Sequence, residues 1–216
     1  MVMSAKQRQK QVEKRNKKRQ LARKAAAPST PASGKAEHYV DSPFRECLVP
    51  GGLFDSGIGS VIVSREARGG MLAVSAFVLD VFCLGVKNAF FRLMTESRYE
   101  DELIPSMIES HEGQPFDRVH QACVKKLIVG AVDYAEDLGF HPHRDYKGAI
   151  ALLNDVDARA CPQRIEYGHD GKPFYIRGPK ETIRQAERIV ERLSECCGEG
   201  NFHYVVMTEP VTTDDR

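Results

Sequence analysis

No run of apolar residues in this 216-residue sequence approaches the roughly 18–20 that a helix needs to cross a bilayer. A membrane-spanning helix is therefore not expected, and membrane is not among the expected partners. The first residues carry no apolar h-region before Ala25-Ala26-Ala27, so a secretory signal is not expected either. A mitochondrial leader would need an apolar helix face, for which Val12 and Leu21 are nearly the only candidates. The expected address is the cytoplasm. No Cys-x-x-Cys occurs among the six cysteines, Cys47, Cys83, Cys123, Cys161, Cys196 and Cys197, which removes the thioredoxin-like redox motif and the zinc ribbon. Adjacent Cys196 and Cys197 are poorly placed for a routine bridge, and with no sign of export the thiols are expected to be reduced and mostly buried.

Chemical signatures are scarce as well. There is no His-Glu-x-x-His, no Gly-x-x-x-x-Gly-Lys-Ser/Thr and no Gly-x-Ser-x-Gly, so zincin, P-loop and nucleophile-elbow chemistry have no footing. Gly51-Gly52 and Gly57-Ile58-Gly59 lack the strand–glycine–helix context of a dinucleotide site. Neither metal nor cofactor is expected, and no internal repeat is visible.

What is present is charge, and it is segregated. The whole chain holds 31 Lys and Arg against 30 Asp and Glu. The first 40 residues hold 11 of the basic residues and 2 of the acidic ones, about +9, leaving 20 and 28 for the rest, about −8. Such asymmetry marks an interaction tail. Residues 1–37 read as a basic flexible tail and a Pro/Ser/Ala linker, 38–210 as a single α+β globular domain and 211–216 as an acidic polar tail. The first 26 residues have good helix formers but no apolar stripe, which suits a nascent helix steadied by a polyanion.

Within the domain, Glu46–Val49 reads as a short strand. Gly59–Arg65 and Met71–Val81, separated by Ala67-Arg68-Gly69-Gly70, read as a β-hairpin. Helical spacing marks Tyr99–Ser110, weakened by Pro105, and more strongly Phe116–Leu138, with Gly139 as its stop. A short helix is expected at Asp145–Leu153. Asp170-Gly171 predicts a hairpin between Gln163–Tyr167 and Pro173–Ile176. A helix opening at Pro179 and running to Cys196, then a strand at Phe202–Met207, complete the pattern. Strands, then helices, then a hairpin–helix–strand unit make the fold α+β.

Three sets of residues are candidates for function. The first is the tail: Lys6, Lys10, Lys14, Arg15, Lys17, Lys18, Arg19, Arg23 and Lys24 neutralise phosphates and release counterions, giving affinity without base specificity. A solubilising tail without a partner is the bland alternative. Lys172, Arg177, Lys180, Arg184, Arg188 and Arg192 could extend that surface along the last helix, whose N-terminus at Gly178-Pro179 would attract an anion. Phe174 or Tyr175 could stack bases. Against this, Glu181, Glu187, Glu191 and Glu195 interleave with the row as on any solvated helix. RNA, including the ribosome, is the expected partner.

The second set is Asp80, Cys83 and Lys87, at the end of an apolar strand where a carboxylate is out of place. With His141 and His143 they could serve a small hydrolase or nuclease. Asp80 in a cleft within reach of a His or Lys would raise that reading; an Asp80 tied to backbone amides and sealed by aromatics would end it. His120 and Cys123, three residues apart, suit core packing more than a metal. The third reading is an interaction module, a homodimer joined along an open edge of the Ser60–Val81 hairpin.

Overall fold

The computed structural model describes residues 35–111, 113–178 and 181–206. Strands β1 (Phe44–Pro50), β2 (Ile58–Ala67), β3 (Met71–Asp80), β4 (Gly85–Thr95) and β5 (Phe116–Arg118) form an antiparallel sheet in the order β4-β3-β2-β1-β5. The expected hairpin is β2–β3, paired without interruption from Ile58–Asp80 to Ala67–Met71. Its turn uses Gly69 and Gly70 at φ 72° and 69°, where a Cβ would be strained.

Helices cover both faces of the sheet, which is why β2 and β3 read as continuous apolar runs rather than alternating ones. On one face Val61, Val63, Ala73, Phe77 and Leu79 pack with Val124, Leu127, Ile128, Leu152 and Leu153. The partners come from the central helix Gln121–Asp137 and the helical segment Tyr146–Leu153. On the other face Ile62, Leu72, Val74, Ala76 and Met94 meet Tyr99, Leu103, Ile104 and Met107. These belong to a composite helix: one α-turn at Glu96–Arg98, a π-turn at Tyr99–Leu103 and an α-helix at Ile104–Ser110. The π-turn lies immediately before the segment that carries Pro105 in its first turn, where a missing amide is tolerated. The result is one compact α+β domain whose core already includes Ala36, 2% exposed, two residues before the expected start at His38.

Several elements differ from expectation. The central helix begins at Gln121, capped by the His120 ring, whose Nδ1 accepts from the Ala122 amide. Phe116–Arg118 matches the helical period, yet pairs as β5 with Leu48–Pro50. There it satisfies the outer edge of β1 and packs Phe116 into the core. At the other end, Gly139 stops the helix at φ 80° as expected.

The Asp170-Gly171 turn forms, with φ 52° and 75° and a bridge between His169 and Lys172, but its hairpin does not. Gln163–Tyr167 is not a strand. β6 (Phe174–Ile176) instead pairs in parallel with β7 (His203–Val205), and its Phe174 amide bonds the Phe82 carbonyl at 3.1 Å. The C-terminal helix is Ile183–Cys197, started by a Thr182–Gln185 capping box rather than by Pro179. Pro179, Lys180 and Met207 lie outside the described residues.

The thiols are a further correction. Cys123 and Cys161 form a disulfide, joining the first turn of the central helix to the loop that follows Ala160. Cys47 and Cys83 are free and buried, Cys197 is partly buried, and Cys196 is exposed. The dimer edge moves as well: β2 and β3 each have a strand on both sides, so neither edge of the Ser60–Val81 hairpin is open. Among the described residues, no helix is long and apolar enough to cross a membrane.

Candidate functional site

Asp80, Cys83 and Lys87 do converge, where the β3–β4 connection meets the C-terminal unit. Asp80 ends β3 and is 5% exposed. Its Oδ1 accepts from the amides of Phe82 at 3.1 Å and Cys83 at 2.9 Å, the Asx-type turn that Asp favours at strand ends. Burial pushes its carboxyl up to about 6, opposed by the Lys87 charge and the amides of Cys83, Leu84 and Phe82. Cys83 is fully buried among Leu138, Tyr175, Ala186 and Leu193. Burial first, and then the nearby Asp80, raises its thiol far above the ordinary range, which suppresses the thiolate that any nucleophilic role needs.

Lys87 turns to Glu181, with Nζ and Oε1 2.5 Å apart and both side chains 18% exposed. The other Glu181 oxygen accepts from the Tyr175 hydroxyl at 2.6 Å and from the Gly178 amide at 3.1 Å. Burial alone would raise this carboxyl; the bonds from Lys87, Tyr175 and Gly178 outweigh it and hold it below its usual value. Glu181 thus gathers a β4 lysine, a β6 tyrosine and a loop amide around one carboxylate. The cluster fastens the C-terminal unit to the main sheet. Its Asp is tied to backbone amides and its Cys is sealed in the core.

The histidines do not join it. The His143 amide donates to the Val86 carbonyl at 2.9 Å, and its ring Nδ1 accepts from the Asp145 amide at 3.3 Å. His141 is exposed. Among the described residues no hydrogen bond or ion pair links either ring to Asp80, Cys83 or Lys87, and no group of three or more His, Cys, Asp or Glu could hold a metal ion. His111 has both ring nitrogens in use: Nε2 accepts from the Ser60 amide at 2.8 Å, and Nδ1 lies 2.8 Å from the Met107 carbonyl.

The tail residues Lys6 to Lys24, like Lys180, lie outside the described residues. Of the body's basic row, Lys172 donates to the Gly200 carbonyl at 3.0 Å and Arg177 to the Glu181 carbonyl at 2.8 Å. Arg184, Arg188 and Arg192 are exposed along the C-terminal helix. Arg192 pairs with Glu195 at 3.3 Å and lies so close over Gly139 that a Cβ there would come within 2.5 Å of its Nε. A groove of about 560 Å³ runs between Gly139-Phe140 and this helix, lined by Arg188 and Arg192 but also by Glu181, Glu191 and Glu195. The anion site expected at Gly178 holds the chain's own Glu181 carboxylate. Of the two possible stacking rings, Tyr175 is core. Phe174 is half-buried, stacked on Phe82 at 6.0 Å and flanked by the rings of His169 and His203.

Sequence reasoning passed over Arg65, 2% exposed. It donates to the carbonyls of Val40, Ser42 and Leu152, pairs with Asp155, and lies 3.5 Å from the centre of the Phe44 ring. Parity was the available signal: Arg65 shares a strand face with Val61 and Val63.

No protein-family model, curated protein or solved structure matches this chain.

Proposed function

We propose that this chain is an accessory nucleic-acid-binding protein, associated with RNA or with the ribosome through its basic N-terminal segment. The observation that carries the reading is charge segregation: 11 Lys and Arg against 2 Glu in the first 40 residues, on a body of about −8. Lysine and arginine at that density neutralise phosphates and release the counterions condensed on them, so affinity arises without base recognition. Exposed Arg184 and Arg188 offer the body a modest second contact. The engagement of Asp80, Cys83, Lys87 and Glu181 in holding the domain together favours a binding role over catalysis by that cluster.

The test is fluorescence anisotropy with generic RNA and DNA, comparing the full chain with one lacking residues 1–35. With roughly 6–8 phosphate contacts, affinity for the full chain should fall about a thousandfold or more between 50 and 200 mM salt. The shortened chain should bind weakly or not at all. No binding by the full chain at low salt would end the proposal.

A further inference from the structure

Among the described residues, the outer edge of β4 is open. β4 is the terminal strand of the sheet, 11 residues long, and pairs on one side with β3. On its other side the His143 amide takes the Val86 carbonyl. Beyond that point, from Asn88 to Met94, no hydrogen bond among the described residues engages the outer backbone. Edge strands are normally protected by shortness, proline, bulges or outward charge. The segment Asn88-Ala89-Phe90-Phe91-Arg92-Leu93-Met94 has no Pro or Gly and a single charged residue. That residue, Arg92, lies back along its own strand with its guanidinium 5.1 Å from the centre of the Phe90 ring. The register shift of this pair lies at Val78/Leu79, which leaves Asn88–Thr95 regular.

We infer that this edge is a homodimer interface: β4 pairs antiparallel with β4 of a second copy, across a twofold axis at Phe91, so that the sheet continues from one molecule into the other. A twofold normal to the sheet keeps each face on its own side, so only residues of like parity stand opposite one another. Centred on Phe91, Phe91 meets Phe91 and Ala89 meets Leu93 on the face that carries the central helix. On the other face Phe90 meets Arg92 and Asn88 meets Met94. The cation then faces an aromatic ring, the same contact that Arg92 already makes within its own strand. Centring the axis on Arg92 would set two guanidinium groups against each other.

The ground beside the edge carries charges of both signs. A groove of about 530 Å³ lies against Phe90 and Phe91 and is walled by Lys35, Glu37, Arg144 and Asp145. Two cations and two anions side by side are what a self-complementary contact needs. The open edge asks for a ladder of backbone amides and carbonyls, which a second β4 supplies and a phosphate backbone does not.

The test uses the full chain after nuclease treatment. Sedimentation equilibrium from about 1 to 300 µM spans the range in which such a dimer would form by mass action, and amide hydrogen exchange is followed at both ends of that range. A dimer whose concentration-dependent protection falls on residues 88–94 is the expected result. A monomer at every concentration overturns the inference. So does a dimer that leaves these amides unprotected, or protection independent of concentration, which would mean that another segment of the same chain covers the edge. Phe90→Lys sets a second cation against Arg92 of the other copy and should weaken dimerisation at least tenfold. Adding Arg92→Glu should restore it. Dimerisation that survives Phe90→Lys unchanged, or that the added Arg92→Glu fails to recover, overturns the register; if Phe90→Lys does not fold, exchange on the unaltered chain decides.

Discussion

Arg65 and Asp80 are both buried and carry opposite stability arguments. Arg65 satisfies at once the Val40 and Ser42 carbonyls of one loop, the Leu152 carbonyl of the helical segment Tyr146–Leu153, and Asp155 in the loop that follows it. Truncating it leaves those acceptors without their donor in a site that water reaches poorly. Arg65→Met, close in volume, should lower unfolding free energy by roughly 3–5 kcal/mol, read as a fall in the urea midpoint; a loss below about 1 kcal/mol would show the loops are held by something else. Asp80 works the other way. Its folded carboxyl titrates at about 6 against an ordinary 3.8, so the folded state binds the proton more tightly than the unfolded chain. Its contribution is therefore fully present below pH 3.8, declines as pH rises, and is gone above about 6. Asp80→Asn keeps an oxygen for the Phe82 and Cys83 amides and removes the buried charge. The variant should be more stable than the parent at pH 7.5 by on the order of 1–3 kcal/mol, with the gap shrinking by pH 4.5. Urea unfolding at the two pH values checks this, and a gap that does not change with pH would refute it.

Among the elements, those set by their own residues were legible and those set by distant partners were not. β2 and β3 announce themselves because both faces are buried and a Gly-Gly turn joins them. The stop at Gly139 and the Asp170-Gly171 turn are local, and both form. Phe116–Arg118 continues the helical period of the central helix, yet the unpaired edge of β1, almost 70 residues earlier, draws it into the sheet. Gln163–Tyr167 loses its hairpin because β6 finds a partner in β7. In the candidate cluster, Asp80, Cys83 and Lys87 were visible as an interruption of an apolar run. Glu181 was not, because its part depends on Lys87 and Tyr175 arriving from other elements. The Cys123–Cys161 link was missed for a like reason: it joins a helix to a loop across 38 residues, and spacing alone does not choose among six thiols. Closing a loop of that length should stabilise the domain by about 3–4 kcal/mol. The expected outcome is four alkylated cysteines in denaturant without reductant, six with it, and a lower melting temperature after reduction. Six reactive thiols from the start would show the link absent and would fit the reducing compartment expected from the sequence.

For the whole molecule the decisive fact is a field with two signs. A body of about −8 repels a polyanion that a segment of about +9 attracts, and at about 0.15 M salt each influence fades within roughly 8 Å. On the proposed reading, binding is a matter of local charge density rather than net charge, which for the full chain is only +1. On that basis residues in the first 24 positions should govern the salt dependence, while Arg184 and Arg188, set among exposed Glu187 and Glu191, should contribute little. Replacing Lys14, Lys17, Lys18 and Lys24 by Gln should lower the slope of log affinity against log salt by roughly 3–4 on RNA, close to 0.7–0.9 for each lost contact. Replacing Arg184 and Arg188 by Gln should change it by less than about 1. Equal losses in the two variants would mean that the C-terminal helix joins the tail in one continuous phosphate track. A loss in the arginine variant alone would move the binding surface from the tail to the body.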